Sequence, residues 1–281
     1  MDMKLIKKLR EETGAGMLEC KKALEESNDN YEDAINYLKE HMTHQSQNQR
    51  VASKGLTKVV IKDDDAILFE VNAETDFAAK NPHFIEMLDR LSQIFILSSA
   101  KNVKEAALLQ IDDKNVNEYI QYVSGLMKEN LELRRFHRIK KQKTQSFGHY
   151  MHGQGKLSVL VIFDQECQAI AKEIAMIIAS HQPSYISIER LDSDTLNYEK
   201  FLYEKNSDGF KSFDEFINSK LLINLPSIYD GNLNVKELLE KHHTNIIDFY
   251  RFELGQGIED KLNCRLDIPC DGSKITVTPI Y

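Results

Sequence analysis

The spacing of apolar residues changes period at Thr57, and this change constrains the fold more than any other feature of the chain. Upstream of it, apolar residues recur at helical spacing. Leu5, Ile6 and Leu9 form one run, Met17, Cys20 and Leu24 a second, and Tyr31, Ala34, Ile35 and Leu38 a third. The breakers "TGAG" (13–16) and "SNDN" (27–30) separate the runs, and Asn30 is placed to cap the third helix. Three helices this short make a mini-domain with a small core. The stretch 41–54 is polar and reads as a linker. From Thr57, "TKVVI" and "AILFEVN" alternate with period two about an acidic turn at 62–65. Ile67, Phe69 and Val71 point one way along that second strand, Leu68 and Glu70 the other.

A helix with Phe84, Met87, Leu88, Leu91, Ile94 and Phe95 on one face follows, then helices over 103–109 and 116–131 and a strand-like run at 134–140. A second hairpin pairs "SFGHYM" with "KLSVLVIF" across 152–155. Next comes a helix carrying Ile170, Ile174, Ile177 and Ile178, which Pro183 ends. Hairpin followed by helices thus occurs twice, which predicts an α+β fold with antiparallel sheets rather than a doubly wound one. Residues 186–229 are the least regular. A helix through Val235, Leu238, Leu239 and His242, a strand at 245–254 and an extended tail, "GSKITVTPIY", complete the chain.

Composition removes several function classes. The net charge of -8 argues against a general nucleic-acid binder, since phosphate contacts need a basic footprint. The basic run at 134–143 carries one aromatic residue, Phe136, and reads as a solvated strand face rather than an RNA platform. Cys20, Cys167, Cys264 and Cys270 are scattered and read as free thiols. With no signal peptide and no apolar run of membrane-spanning length, a cytoplasmic protein is expected. His149 and His152 lack further ligands at metal spacing, and the expected pair is one packed and one exposed turn histidine. There is no phosphate-binding glycine loop and no activated nucleophile. No catalytic residue, cofactor or metal is therefore expected.

The stretch "NAETDFAAKN" (72–81) places Asp76 and Phe77 side by side at a strand end. From the residues alone, Phe77 is either a core plug or an exposed anchor. The same stretch carries a resemblance. "LREETGAGMLECKKALEESNDNYEDAINYL", "NAETDFAAKNPHF", "KENLELRRF", "HYMHGQGKLSVLV" and "YRFELGQGIE", in this order, resemble the elongation factor Ts family, bacterial nucleotide exchange factors for elongation factor Tu. The resemblance implies a three-helix domain similar to ubiquitin-associated domains, then two α+β subdomains with a helical insertion. The boundaries it suggests are 1–56 for the first domain and its linker, and 57–143 for one subdomain. The other subdomain takes 144–185 with 230–265, the insertion 186–229, and the tail 266–281.

The resemblance also implies a function and a set of contacts. The chain would promote GDP release from elongation factor Tu, meeting both its GDP-bound and nucleotide-free forms, without being an enzyme. Thr75, Asp76 and Phe77 fall in the family's anchor motif. His152 matches a partner-contacting histidine. Met127 matches an apolar contact, with Lys128 where members often have glycine. Met17 and the "TGAG" loop match a further contact, with a helix-joining turn and a core methionine as the alternative. Ser158 stands where glycine is usual. The family's pieces within the insertion are not recognisable here, so a homodimer through 186–229 is left open, as is an interaction module without exchange activity. No nucleic acid or membrane partner is implied.

Overall fold

The computed structural model describes residues 3–13, 17–42, 52–206 and 209–258. Most of the "TGAG" and linker stretches, the 266–281 tail, Cys264 and Cys270 lie outside the described residues. The chain divides into two compact units, 1–56 with 69–138, and 57–68 with 139–281. The fold is α+β.

The first unit opens with α1 (Met3–Thr13), α2 (Met17–Glu26) and α3 (Tyr31–Met42). They bury Ile6, Leu9, Cys20, Ala23, Leu24, Ala34 and Leu38 in one small core. The Asn30 side chain caps α3 as expected, accepting the Glu32 and Asp33 amides at 3.1 and 3.4 Å. Met17 departs from the expected stripe. It is the first residue of α2, before the turns that α1 and α3 cover, and it is 47 % exposed.

Next come β1 (Lys54–Lys62), β2 (Asp65–Ala73), α4 (Pro82–Leu97) and α5 (Val103–Ala107). A small ribbon, β3 (Gln110–Ile111) with β4 (Lys114–Asn115), leads to α6 (Val116–Met127) and β5 (Leu131–Lys140). The short ribbon left no period to read, and the helix predicted over 116–131 gives up its last residues to a turn and to β5. The sheet order is β1–β2–β5, and the unit boundary falls within these three strands. Within the first unit, edge-on rings tie β2, α4 and β5: Phe69 to Phe95 at 5.0 Å, Phe95 to Phe136 at 5.1 Å. Gly55 has φ +123°, and a Cβ there would lie 2.1 Å from the Val71 carbonyl oxygen, so glycine lets β1 approach β2.

Glu70 is not on a wet face. Central β2 is buried from Ala66 to Ala73, and Glu70 sits there fully enclosed. Its carboxylate accepts from Arg134 at 3.1 Å and from Arg135 Nε at 2.5 Å. Arg138 donates to the Phe95 and Ala100 carbonyls, and in the second unit Lys141 pairs with Asp64 at 2.8 Å. The arginines of the basic run are therefore not the solvated face expected of them. They bind buried acceptors inside the fold, whereas Lys140 and Lys143 are exposed.

In the second unit, β6 (Ser146–His152), β7 (Leu157–Phe163) and a late strand form an antiparallel sheet with β7 central. Every residue of β7 is buried. Val159, Val161 and Phe163 meet Ile170, Ile174, Ile177 and Ile178 of α7 (Gln168–His181). Leu160 and Ile162 face the other way, onto Val59, Leu68 and Ile139. The irregular stretch is ordered around α8 (Ser193–Lys205) and α9 (Phe213–Ser219), where buried Glu199 accepts from Tyr185 Oη and Lys220 Nζ at 2.7 and 2.5 Å. Then α10 (Val235–Lys241) leads into β8 (Ile246–Glu253), which completes the sheet. Among the described residues no helix is long and apolar enough to cross a membrane.

Candidate partner-binding site

Where β2 ends, the chain turns sharply before α4. Thr75 makes this turn. Its Oγ1 accepts the Ala78 amide at 3.3 Å, a local threonine cap that starts the single 3-10 turn Ala78–Lys80. Lys80 N–H then closes back on the Phe77 carbonyl at 3.1 Å. Asn81 caps α4 by accepting the His83 amide at 2.9 Å, with Pro82 at the first helical position. Ala78 points inward and is buried, whereas Phe77 is 78 % exposed. Asp76 is exposed beside it. Among the described residues no side chain bonds the Asp76 carboxylate and no ring packs on Phe77. The core-plug reading of Phe77 is thereby removed.

A second turn closes onto this one. Helix α6 ends in a Schellman arrangement: Lys128 N–H donates to the Gly125 carbonyl and Glu129 N–H to the Ser124 carbonyl. Lys128 holds the left-handed conformation, φ 56°, at the position where glycine is commoner, a backbone cost of roughly 1–2 kcal/mol. Met127, half-buried, is the last helical residue. Glu129, just beyond, accepts the Thr75 hydroxyl at 2.8 Å and the Thr75 amide at 3.2 Å. In return, Glu74 accepts the Asn130 amide at 3.3 Å.

Thr75, Asp76 and Phe77 thus share one loop, and Met127 ends the helix whose following turn holds it. Met17 lies apart in sequence on α2, where Leu18 is 82 % exposed next to it. His152 belongs to the second unit, exposed at the end of β6, with Tyr150 Oη 3.1 Å from its Nδ1. His149 also has an exposed surface, yet partial burial of its ring holds its pKa below the usual imidazole value. Among the described residues no group of three His, Cys, Asp or Glu side chains can hold a metal ion.

The family model for elongation factor Ts matches residues 74–256, which span both turns and His152. The chain is also 34 % identical over 278 residues to the elongation factor Ts of Acholeplasma laidlawii, covering 92 % of this chain and 94 % of that one. It is 35 % identical to that of Halothermothrix orenii (92 % and 94 % covered) and 33 % identical to that of Oenococcus oeni (91 % and 92 % covered). The chain belongs to the elongation factor Ts family. It is accordingly a translation elongation factor rather than an enzyme.

Two supports of these family positions were not visible in sequence. Glu129 is one, because its contact with Thr75 spans 54 residues of chain. The other concerns Ser158. Ser158 and Thr57 are both fully buried, with their hydroxyls 2.8 Å apart. Thr57 also donates its hydroxyl (2.8 Å) and its amide (2.6 Å) to the Gly155 carbonyl, which pins the turn after His152. The serine is thus satisfied by a threonine 101 residues away. Thr57→Val should cost about 1–3 kcal/mol in urea unfolding, because it strands a buried hydroxyl. Adding Ser158→Ala should recover most of that loss. Strictly additive losses would refute the pairing.

Proposed function

We propose that the protein is the guanine nucleotide exchange factor for elongation factor Tu, and that Phe77 is its principal anchor. The observation that carries this reading is a large aromatic side chain held out in water at 78 % exposure on a loop bonded at both ends. An isolated exposed Phe is ordinary. One on a braced loop inside the matched family span is an anchor awaiting a slot.

The physics requires no bond chemistry. A factor that binds the nucleotide-free GTPase better than the GDP-bound form weakens GDP binding by the same ratio. Each tenfold gain in release rate takes about 1.4 kcal/mol off the barrier. A buried aromatic anchor supplies roughly 2–4 kcal/mol. In this reading Phe77 wedges between helices of the partner's nucleotide domain, and Asp76 acts near its Mg²⁺ site. Thr75 shapes the loop, Met127 adds apolar contact, and His152 and Met17 meet the partner elsewhere. The work is cytoplasmic. Residues 186–229 remain the proposed route to a homodimer.

The test is release of N-methylanthraniloyl-GDP from bacterial elongation factor Tu in stopped flow. The expected result is acceleration that rises with concentration of this protein and then saturates. No acceleration by the folded protein would refute the reading. The exposed pair Met17 and Leu18 favours a second one, a three-helix docking module without exchange. Stable binding to the GTPase with no acceleration, abolished by Met17→Ser, would select it.

A further inference from the structure

The anchor loop is not rigid through its own bonds alone. Its own bonds, from the Ala78 amide to Thr75 Oγ1 and from the Lys80 amide to the Phe77 carbonyl, lie on the α4 side and would leave the strand end free to fray. The larger constraint comes from the turn after α6, where both loops reach into each other. Glu129 takes the amide and the hydroxyl of Thr75, and Glu74 takes the amide of Asn130. Glu129 is itself fixed, since Ser124 donates its hydroxyl to the Glu129 carbonyl at 2.5 Å and accepts its amide through the backbone at 3.2 Å. Ser124 is buried. The constraint therefore runs from the core of α6 through Glu129 to the residue two before Phe77. A carboxylate accepting two donors from one residue gives charge-assisted bonds and fixes a direction as well as a distance.

We propose that Glu129 is a positioning residue for the anchor: it holds the Asp76–Phe77 loop in its docking conformation before the partner arrives. This rests on the exchange reading and names a residue outside the contacts proposed above. A loop already ordered pays less conformational entropy on docking, so the gain appears in affinity. The wedge itself, once seated, is unchanged.

The two roles separate in the concentration dependence of GDP release. Glu129→Ala should raise the half-saturating concentration about tenfold and leave the saturated rate within about twofold. Glu129→Gln, which keeps an acceptor oxygen but loses the charge, should raise it about threefold and guards against a fold defect in the alanine variant. Phe77→Ala should instead lower the saturated rate, and adding Glu129→Ala to it should change the half-saturating concentration by no more than about twofold. In the free protein, the Thr75 and Ala78 amides should exchange with deuterium faster in Glu129→Ala, with α4 and β2 protected as before. If Glu129→Ala keeps the wild-type half-saturating concentration while Phe77→Ala is impaired, the positioning role is wrong and the exchange reading survives. If Phe77→Ala itself exchanges normally, the anchor falls and the positioning role falls with it.

Discussion

Phe77→Ala is expected to lower the saturated rate of GDP release by about thirtyfold or more, the equivalent of roughly 2 kcal/mol of lost anchor burial. The same change should leave stability within about 0.5 kcal/mol of the parent, as for other surface substitutions. Both parts follow from one fact: the ring is 78 % exposed. A side chain that contributes little to the folded state by itself can contribute most of its burial to a complex. Phe77→Leu should retain part of the rate, because an apolar branch still fills part of a slot made for a ring. Stopped-flow release and thermal melting on the same preparations decide the matter. A rate equal to the parent's, with the fold intact, would mean that the exposed ring has no part in exchange.

Glu70→Ala should have the opposite profile. The carboxylate has no exposed surface, and its two guanidinium partners retain only 19 % and 14 % of theirs. Removing it leaves two cations with most of their surface out of water and a principal acceptor gone. Breaking a buried pair in this way costs about 3–5 kcal/mol, more than the pair's own net contribution, because the surviving charge is uncompensated. The urea midpoint should fall accordingly, while any protein that remains folded should still accelerate GDP release. An unchanged midpoint would mean that Arg134 and Arg135 find other acceptors or water at no loss.

Elements with a sustained period were legible in the sequence. The stripe Phe84, Met87, Leu88, Leu91 reported α4 because its burial repeats each turn, and β7 was visible as a run of apolar residues. Signals failed where a residue's partner lies far along the chain. Glu70 could be read only as pointing away from Phe69, since alternation predicts direction and not what covers it; its ion pairs across 64 and 65 residues account for a buried acid. The same pairs explain why Arg134 and Arg135 turn inward. Met17 had helical spacing but stands at the helix start, beyond what its neighbours cover. Within the site, the anchor motif could be read locally. Its brace could not, because Glu129 resembles any acidic residue at a helix end.

Glu70 and Phe77 lie on one short stretch of chain, yet a cell would register their loss in different ways. Protein with a defective Glu70 would spend more time unfolded and be cleared by proteases, so its amount would drop, since even 1–2 kcal/mol can shift abundance several-fold. Protein lacking the Phe77 ring would accumulate normally. The shortage in that case is of work per molecule, invisible to quality control, and raising expression of the damaged copy would do little to relieve it.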